Sequence, residues 1–182
     1  FSTRDSNGNQ LTKKQQNFFK DTKVRNADGD LLVMYHGTKS EFTVFDSDRL
    51  NDGLGFFFTD DKWEAYDYGT PLKCYLNIKN PFNMHEGTEL DSFLGNAPKY
   101  VNGNLNRKAI VKGLIEAGYD GIYAYNKGSN WYIAFEPEQI KRTDNRNPTK
   151  KSDIRYSLRN QQPTAREILT QTDPQTQKNN VK

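Results

Sequence analysis

The stretches Gly121-Ile-Tyr-Ala-Tyr125 and Trp131-Tyr-Ile-Ala-Phe135 decide the fold more than any other part of the chain. Both are short, rich in aromatic and β-branched residues, and separated by Asn126-Lys-Gly-Ser129, a polar segment with a glycine. Two such runs joined by a short glycine-containing turn predict a β-hairpin. Pro137 closes the second strand, because proline cannot donate a ladder hydrogen bond.

Further strands are predicted on the amino-terminal side of this hairpin. Leu31 to His36 is a short apolar run, as expected for a strand buried on both faces. Phe56 to Thr59 is a second such run, and Leu72 to Ile78 alternates in the manner of a strand. Pro81 is expected to end that third strand.

Three helices are predicted between and before these strands. Thr12-Lys-Lys-Gln15 has capping-box spacing, and Thr59 or Asp60 can cap a helix that follows the Phe-rich strand. Leu105 to Ala117 is amphipathic and should end at Gly118. Several short strands with helices inserted among them predict an α+β fold.

Composition and charge predict how the chain is divided. Its 182 residues suffice for one domain, although its mean hydropathy is only −0.97. Between Lys141 and Lys182 the basic residues outnumber the acidic ones by six, whereas the rest of the chain has an acidic excess of three. We therefore expect a helical lead-in over residues 1–30, a core over 31–141, and a basic, partly disordered tail over 142–182.

The composition also argues against several kinds of protein. Cys74 is the sole cysteine, and His36 and His85 are the only histidines, so we expect neither a disulfide nor a metal site. No apolar run approaches the roughly 20 residues of a membrane span, and no signal peptide is visible. These features predict no membrane partner. We also expect a monomer and a cytoplasmic location, which would be the bacterial host cytoplasm if a phage or mobile element encodes the protein.

Four segments carry side chains suited to ligand binding. They are Tyr35-His-Gly-Thr38, Gly53-Leu-Gly-Phe-Phe-Phe-Thr59, Ala65-Tyr-Asp-Tyr-Gly69 and Trp131 to Lys141. The first places an imidazole at the end of a strand, beside a glycine that lets a ligand approach the backbone. The Gly-x-Gly of the second is too short for a dinucleotide fingerprint. Each segment alone has an ordinary structural explanation, whereas their order along the chain is specific.

That order resembles the ADP-ribosyltransferase family, in the branch of diphtheria toxin and the poly-ADP-ribose polymerases. More narrowly, the chain is similar to the ADP-ribosyltransferase domains of polyvalent proteins from phages and mobile elements, which include toxins and effectors. Leu32-Val-Met-Tyr-His-Gly-Thr38 and Tyr119-Asp-Gly-Ile122 carry this similarity, which extends from about Leu11 to Arg159. It implies a split antiparallel sheet with inserted helices. It also implies NAD⁺ as co-substrate and a protein or nucleic acid as acceptor of ADP-ribose.

The resemblance also implies roles for individual residues. His36 would hydrogen-bond the adenosine ribose, Gly37 would bond the nicotinamide carboxamide through its backbone, and Thr38 would support this strand edge. Phe57 and Tyr68 would stack on either side of the nicotinamide ring, and His36 and Tyr68 would also be catalytic. The remaining residues assigned to the NAD⁺ site are Tyr35, Phe56, Phe58 and Trp131. We expect His36→Ala to abolish NAD⁺ chemistry and to leave the fold intact, because a histidine at a strand edge contributes little to packing.

The family's third motif contains a glutamate, which would fall at position 131, where this chain has Trp131. Glu136 faces the opposite side of the strand, roughly 16 Å away. Glu138 is therefore the candidate catalytic acid, with Asp120 as an alternative. The resulting prediction is a mono-ADP-ribosyltransferase, since family members without the glutamate transfer single units. A degenerate NAD⁺- or ADP-ribose-binding module, an NAD⁺ glycohydrolase and an interaction domain remain alternatives.

Overall fold

The computed structural model describes residues 2–46, 53–85 and 89–155. Its α-helices are α1 (Lys13–Phe18), α2 (Lys62–Tyr66) and α3 (Arg107–Glu116). Its strands are β1 (Met34–Thr38), β2 (Phe56–Thr59), β3 (Thr70–Leu76), β4 (Pro81–Met84), β5 (Tyr100–Val101), β6 (Asn104–Leu105), β7 (Gly121–Asn126), β8 (Ser129–Ala134) and β9 (Ile140–Arg142). Two 3₁₀ turns cover Leu90–Phe93 and Pro137–Gln139.

Seven strands form one sheet in the order β4-β7-β8-β2-β1-β3-β9, and β5 pairs with β6 in a separate ribbon. Only the β4–β7 pairing among the described strands is parallel. The predicted α+β class is confirmed as a mainly antiparallel sheet with few helices. The hairpin of β7 and β8 is confirmed as well, with Asn126 opposite Ser129. Lys127 and Gly128 both have positive φ, as the tight twist of a two-residue hairpin turn requires.

The sequence-based predictions were wrong about where two strands begin or end. The first strand begins at Met34 rather than Leu31, because β1 pairs with β3 from Met34 onward while Leu31 makes an isolated bridge to Arg25. Pro81 begins a strand instead of ending one. It is the first residue of the edge strand β4, a position where a missing N–H is tolerated.

The cap of α2 also differs from the prediction. Asp61 is the cap, and its carboxylate accepts a hydrogen bond from the Trp63 N–H at 2.9 Å. Thr59 and Asp60 have other partners: the Thr59 hydroxyl donates to Glu64, and the Asp60 carboxylate accepts from Asn130. The capping box at Thr12, by contrast, is confirmed.

One face of the sheet carries the main apolar core. Side chains that alternate along β1, β2, β3 and β8 point into it and are almost fully buried. Prominent members are Met34, Phe56, Phe58, Cys74, Leu76, Tyr132 and Ala134. This face therefore has little room for a ligand beneath the central strands.

The opposite face is covered by two separate clusters. The amino-terminal segment packs on the β1–β3 side, where its Leu11 and Phe19 cluster with Tyr75 of β3. Helix α3 packs on the β7–β8 side through Ile110 and Leu114. Between the two clusters, α2 lies over β1, β2 and β3. The functional cleft described below is in this gap.

The packed part of the chain continues beyond residue 141, where sequence analysis ended the core. Ile154 is fully buried in the main cluster, and its carbonyl accepts a hydrogen bond from the Arg142 N–H at 2.9 Å. The buried Lys141 ammonium donates to the carbonyls of Lys151 and Asp153, and burial lowers its pKa to about 8. The first part of the predicted tail is thus folded onto the sheet. Residues 156–182 of that tail lie outside the described residues.

Candidate functional site

The sheet opens where β1 leaves β2. Within the described residues these strands meet at one register position, Tyr35 opposite Thr59. Beyond it they separate, and α2 closes the space from above. The result is a cleft of about 320 Å³, within the usual size range for small-molecule sites. Its lining consists of Tyr35, His36, Gly37, Phe57, Thr59, Ala65, Tyr68 and Trp131.

Gly37 allows β1 and α2 to approach closely. A Cβ atom at this position would lie 2.1 Å from the Ala65 carbonyl oxygen and 2.8 Å from the Tyr68 Cβ. No side chain larger than hydrogen fits there unless α2 moves. The glycine therefore allows α2 to lie close to β1 and so sets the width of the cleft.

His36 has a defined tautomer in this cleft. Its Nδ1 lies 2.7 Å from the Phe57 carbonyl oxygen, so Nδ1 carries the hydrogen and donates it. Burial lowers the pKa of His36, although the bond to Phe57 opposes this shift. The imidazole is consequently neutral at pH 7, and its Nε2 is an acceptor.

The packing of His36 corrects one expectation from sequence. Its ring centroid lies 5.0 Å from that of Phe45 and 5.3 Å from that of Phe58, on the side of the main core. The side chain therefore supports the fold as well as lining the cleft. His36→Ala would leave a cavity and an unsatisfied Phe57 carbonyl, so the fold would not stay unaffected.

The aromatic side chains divide between the cleft and the core. Phe57 packs edge-on against Trp131, with ring centroids 4.9 Å apart, and Tyr68 lines the same cleft with an exposed ring. Phe56 and Phe58, which were assigned to the NAD⁺ site, instead point into the buried core. The reason is strand alternation, which sends neighbours of Phe57 to the opposite face.

Thr38 lies outside this cleft. It borders a larger hollow of about 620 Å³ on the other side of β1, and its hydroxyl donates to the Ser40 carbonyl at 2.8 Å. Lys39, Arg142 and Arg155 contribute positive charge to the same hollow. Since Gly37 lines the cleft and Thr38 the hollow, β1 separates two neighbouring compartments.

The acids proposed from sequence are not in the cleft. Glu138 is exposed in the 3₁₀ turn after β8, and Glu136 is an exposed residue just before it. The Asp120 carboxylate accepts hydrogen bonds from the N–H groups of Lys79 and Asn80, both at 2.8 Å, and so fixes the start of β4. None of the three is among the residues that line the cleft.

Glu64 is an acidic residue at the edge of the cleft that sequence reasoning missed. Its Oε2 accepts a hydrogen bond from the Trp131 indole at 3.1 Å and another from the Thr59 hydroxyl at 2.9 Å. Both donors line the cleft. The available signal was proximity in sequence, since Glu64 belongs to the short helix α2 that precedes Tyr68.

The described segments offer no support for a metal site or for a membrane-spanning helix. Among these residues, no three side chains of His, Cys, Asp or Glu cluster so as to hold a metal ion. None of the described helices is long and apolar enough to cross a lipid bilayer. The monomeric state and the cytoplasmic location remain predictions from sequence.

The family comparison defines the class of protein. A family model described as ADP-ribosyltransferase in polyvalent proteins matches residues 26–150. The chain therefore carries an ADP-ribosyltransferase domain, a class of transferase that uses NAD⁺ as substrate. More particularly, it belongs to the ADP-ribosyltransferase family of polyvalent proteins, as its sequence motifs predicted.

Other comparisons are less extensive. The crystal structure of an anti-CRISPR protein is similar at a TM-score of 0.36 and 12% identity. The alignment covers 59% of this chain and 90% of that one. No protein of curated function matches the sequence.

Proposed function

We propose that this domain is a mono-ADP-ribosyltransferase. It binds NAD⁺ in the cleft between β1, β2 and α2, releases nicotinamide, and transfers ADP-ribose to a macromolecular acceptor. The observation that carries this proposal is the convergence of His36, Gly37, Phe57 and Tyr68 on one cleft in a chain of this family. These residues come from two strands and the end of a helix, and their order is that of the family motifs.

The nicotinamide ring fits the apolar part of the cleft. Phe57 and Tyr68 present aromatic rings to it, and aromatic contacts contribute about 0.5–1.5 kcal/mol beyond burial. The ring of NAD⁺ is cationic, so it gains further from attraction to an aromatic face. Gly37 provides backbone groups for the carboxamide, since it lines the cleft beyond the one position at which β1 pairs with β2.

His36 is suited to a ribose hydroxyl. Because its Nδ1 donates to the Phe57 carbonyl, Nε2 is left as a neutral acceptor for an O–H donor. The lowered pKa of His36 keeps it in this form at pH 7. A protonated imidazole would have no acceptor to offer.

The basic hollow beside Thr38 is suited to the phosphate-bearing half of the dinucleotide. Lys39, Arg142 and Arg155, together with one acid, Glu41, are among the residues that line this space of about 620 Å³, and the three cations complement the two negative charges of a diphosphate. Arg142 and Arg155 are also paired with Asp144 and Asp153, which holds them in place. An extended NAD⁺ would then follow β1 from Gly37 to Thr38.

Trp131 favours single transfer over polymer synthesis. It occupies the position of the third-motif glutamate, which contacts the ribose hydroxyl in the ADP-ribosyltransferases that this chain resembles. The same substitution supports a second candidate, an NAD⁺- or ADP-ribose-binding module without turnover. The two functions differ in one measurable product, free nicotinamide.

The test is incubation of the protein with NAD⁺, followed by mass spectrometry of nicotinamide, with and without host lysate as a source of acceptors. Lysate-dependent nicotinamide release together with ADP-ribose on a macromolecule is the expected result. Release without lysate would instead support a glycohydrolase. Binding of NAD⁺ without any release would support the binding module, and no binding at millimolar NAD⁺ would refute both functions.

A further inference from the structure

Glu64 is held at the cleft by the residue that occupies the place of the family's acid. The Trp131 indole N–H donates to Glu64 Oε2 from β8, and the Thr59 hydroxyl donates to the same oxygen from the end of β2. Both bonds are within ordinary hydrogen-bond length. The carboxylate is thus fixed between two strands although its own backbone belongs to α2.

The position of Glu64 is next to the proposed nicotinamide site. Ala65, its neighbour in sequence, lines the cleft, and Tyr68 follows one turn later. A second, outer hollow of about 560 Å³ is bordered by Glu64 and shares Tyr68 and Trp131 with the cleft. Glu64 is not itself among the residues that line the cleft, but it borders the adjoining outer hollow, from which we expect an acceptor to approach.

One oxygen of this carboxylate is available for a ligand. Both of these hydrogen bonds reach Oε2, and in the part of the chain that the structure describes Oε1 accepts no hydrogen bond. Oε1 therefore keeps its full capacity to accept a hydrogen bond. The carboxylate presents a negative charge, held in place through Oε2, to the hollow that adjoins the cleft.

We propose that Glu64, positioned by Trp131 and Thr59, is the catalytic carboxylate that stabilises the cationic ribose of NAD⁺ during transfer. This inference rests on the proposed function. It means that a carboxylate from α2 replaces the glutamate that is absent from β8. Trp131 is then a positioning residue, and its presence does not mean that the site has lost its acid.

The reaction needs only this charge and an acceptor. The bond between ribose C1′ and nicotinamide N1 breaks, and its electron pair stays on N1, so the pyridinium becomes neutral nicotinamide. Positive charge develops on C1′ and the ring oxygen, where the Glu64 carboxylate stabilises it. A nucleophilic atom of the acceptor then forms the new bond to C1′ with its lone pair and loses its proton to solvent.

Glu64→Gln separates this role from a structural one. The amide oxygen of glutamine accepts the same two hydrogen bonds but carries no charge. We expect NAD⁺ to bind within about threefold of the wild-type Kd, and nicotinamide release to slow on the order of 10²-fold, the usual effect of removing a charge-stabilising group. Glu116→Gln is the matched control: it removes the same charge from an exposed position at the end of α3, outside the cleft and the outer hollow, and should leave the rate unchanged.

A double-mutant cycle tests the positioning role of Trp131. Trp131→Phe keeps an aromatic ring against Phe57 but removes the N–H that holds Glu64. It should slow nicotinamide release several-fold in the wild-type background and have no further effect in Glu64→Gln, because interacting residues are not additive. Equal effects in both backgrounds would overturn the coupling.

The failures of the two proposals are distinguishable. If the wild-type protein neither binds nor cleaves NAD⁺, the proposed function falls. If the wild type releases nicotinamide and Glu64→Gln does so at a comparable rate, only the assignment of Glu64 is overturned. A loss of NAD⁺ binding in a folded Glu64→Gln protein would also overturn it, since the charge would then act on binding rather than on the transition state.

Discussion

Replacing Gly37 with alanine tests the geometry of the cleft directly. The added Cβ would lie 2.1 Å from the Ala65 carbonyl oxygen, whereas carbon and oxygen atoms normally approach to about 3.3 Å. Helix α2 must therefore move away from β1 by roughly 1 Å. It cannot do so freely, because Thr59 and Trp131 both hold Glu64 of that helix.

The displacement has two measurable consequences. Overpacking of this kind costs about 1–3 kcal/mol, which for a domain of this size lowers Tm by roughly 2–10 °C. The displacement also moves Ala65 and Tyr68, on the α2 wall of the cleft, away from Gly37 on the β1 wall. A misplacement of about 1 Å at a reacting site can reduce the rate on the order of 10²-fold. We therefore expect Gly37→Ala to lose both stability and nicotinamide release.

Thermal unfolding and the nicotinamide assay, performed on the same preparations, measure the two effects. Gly118→Ala is the control, since its φ of 95° strains any residue with a Cβ but no atom lies within 4 Å of the added group. It should cost a similar 1–2 kcal/mol after α3, away from the cleft, and leave NAD⁺ turnover intact. If Gly37→Ala kept the wild-type Tm and rate, the close approach of β1 and α2 would be refuted.

Three further predictions concern His36 and Lys141. His36→Asn retains a donor for the Phe57 carbonyl but has no atom at the Nε2 position. Titration calorimetry should therefore show NAD⁺ binding at least tenfold weaker than in the wild type, a larger loss than in His36→Gln. Equal losses in the two variants would refute the role of Nε2. Because burial lowers the pKa of His36 in the folded state, the unfolded chain binds its proton first. The contribution of His36 to the free energy of unfolding should then be constant above about pH 6.5 and fall as the pH drops below it, and urea titrations should show a weaker fall in His36→Asn. Lys141→Met leaves the carbonyls of Lys151 and Asp153 without their donor and should lower the free energy of unfolding by about 1–3 kcal/mol, whereas an unchanged value would show that this ammonium does not fix the segment.

Elements with strong local signals could be predicted from the sequence. The capping box at Thr12, the Phe56–Thr59 strand and the β7–β8 hairpin each depend on residues close together in the chain, and the structure has all three. Strand β4 had no such signal. It exists because β7, about 40 residues later, offers a parallel partner, and a proline is compatible with its exposed start.

The site was predictable in part for the same reason. His36, Gly37, Phe57 and Tyr68 belong to motifs that can be recognised in sequence, and the structure brings all four to one cleft. Because side chains alternate between the two faces of β2, the assignment of Phe57 to the cleft could have excluded Phe56 and Phe58 from the list of site residues. The contact between Glu64 and Trp131, by contrast, joins residues 67 positions apart and has no periodic signature.

The sequence by itself determined the family, the α+β class and several of the residues that line the cleft, because these follow from residue types and their order along the chain. The tertiary structure alone decided which side chains share the cleft, the tautomer of His36 and the carboxylate that faces the opening. These depend on how strands distant in sequence are paired and on which face of the sheet each side chain points to. Hydrogen bonds such as those to Glu64 form only after that pairing has brought their partners together.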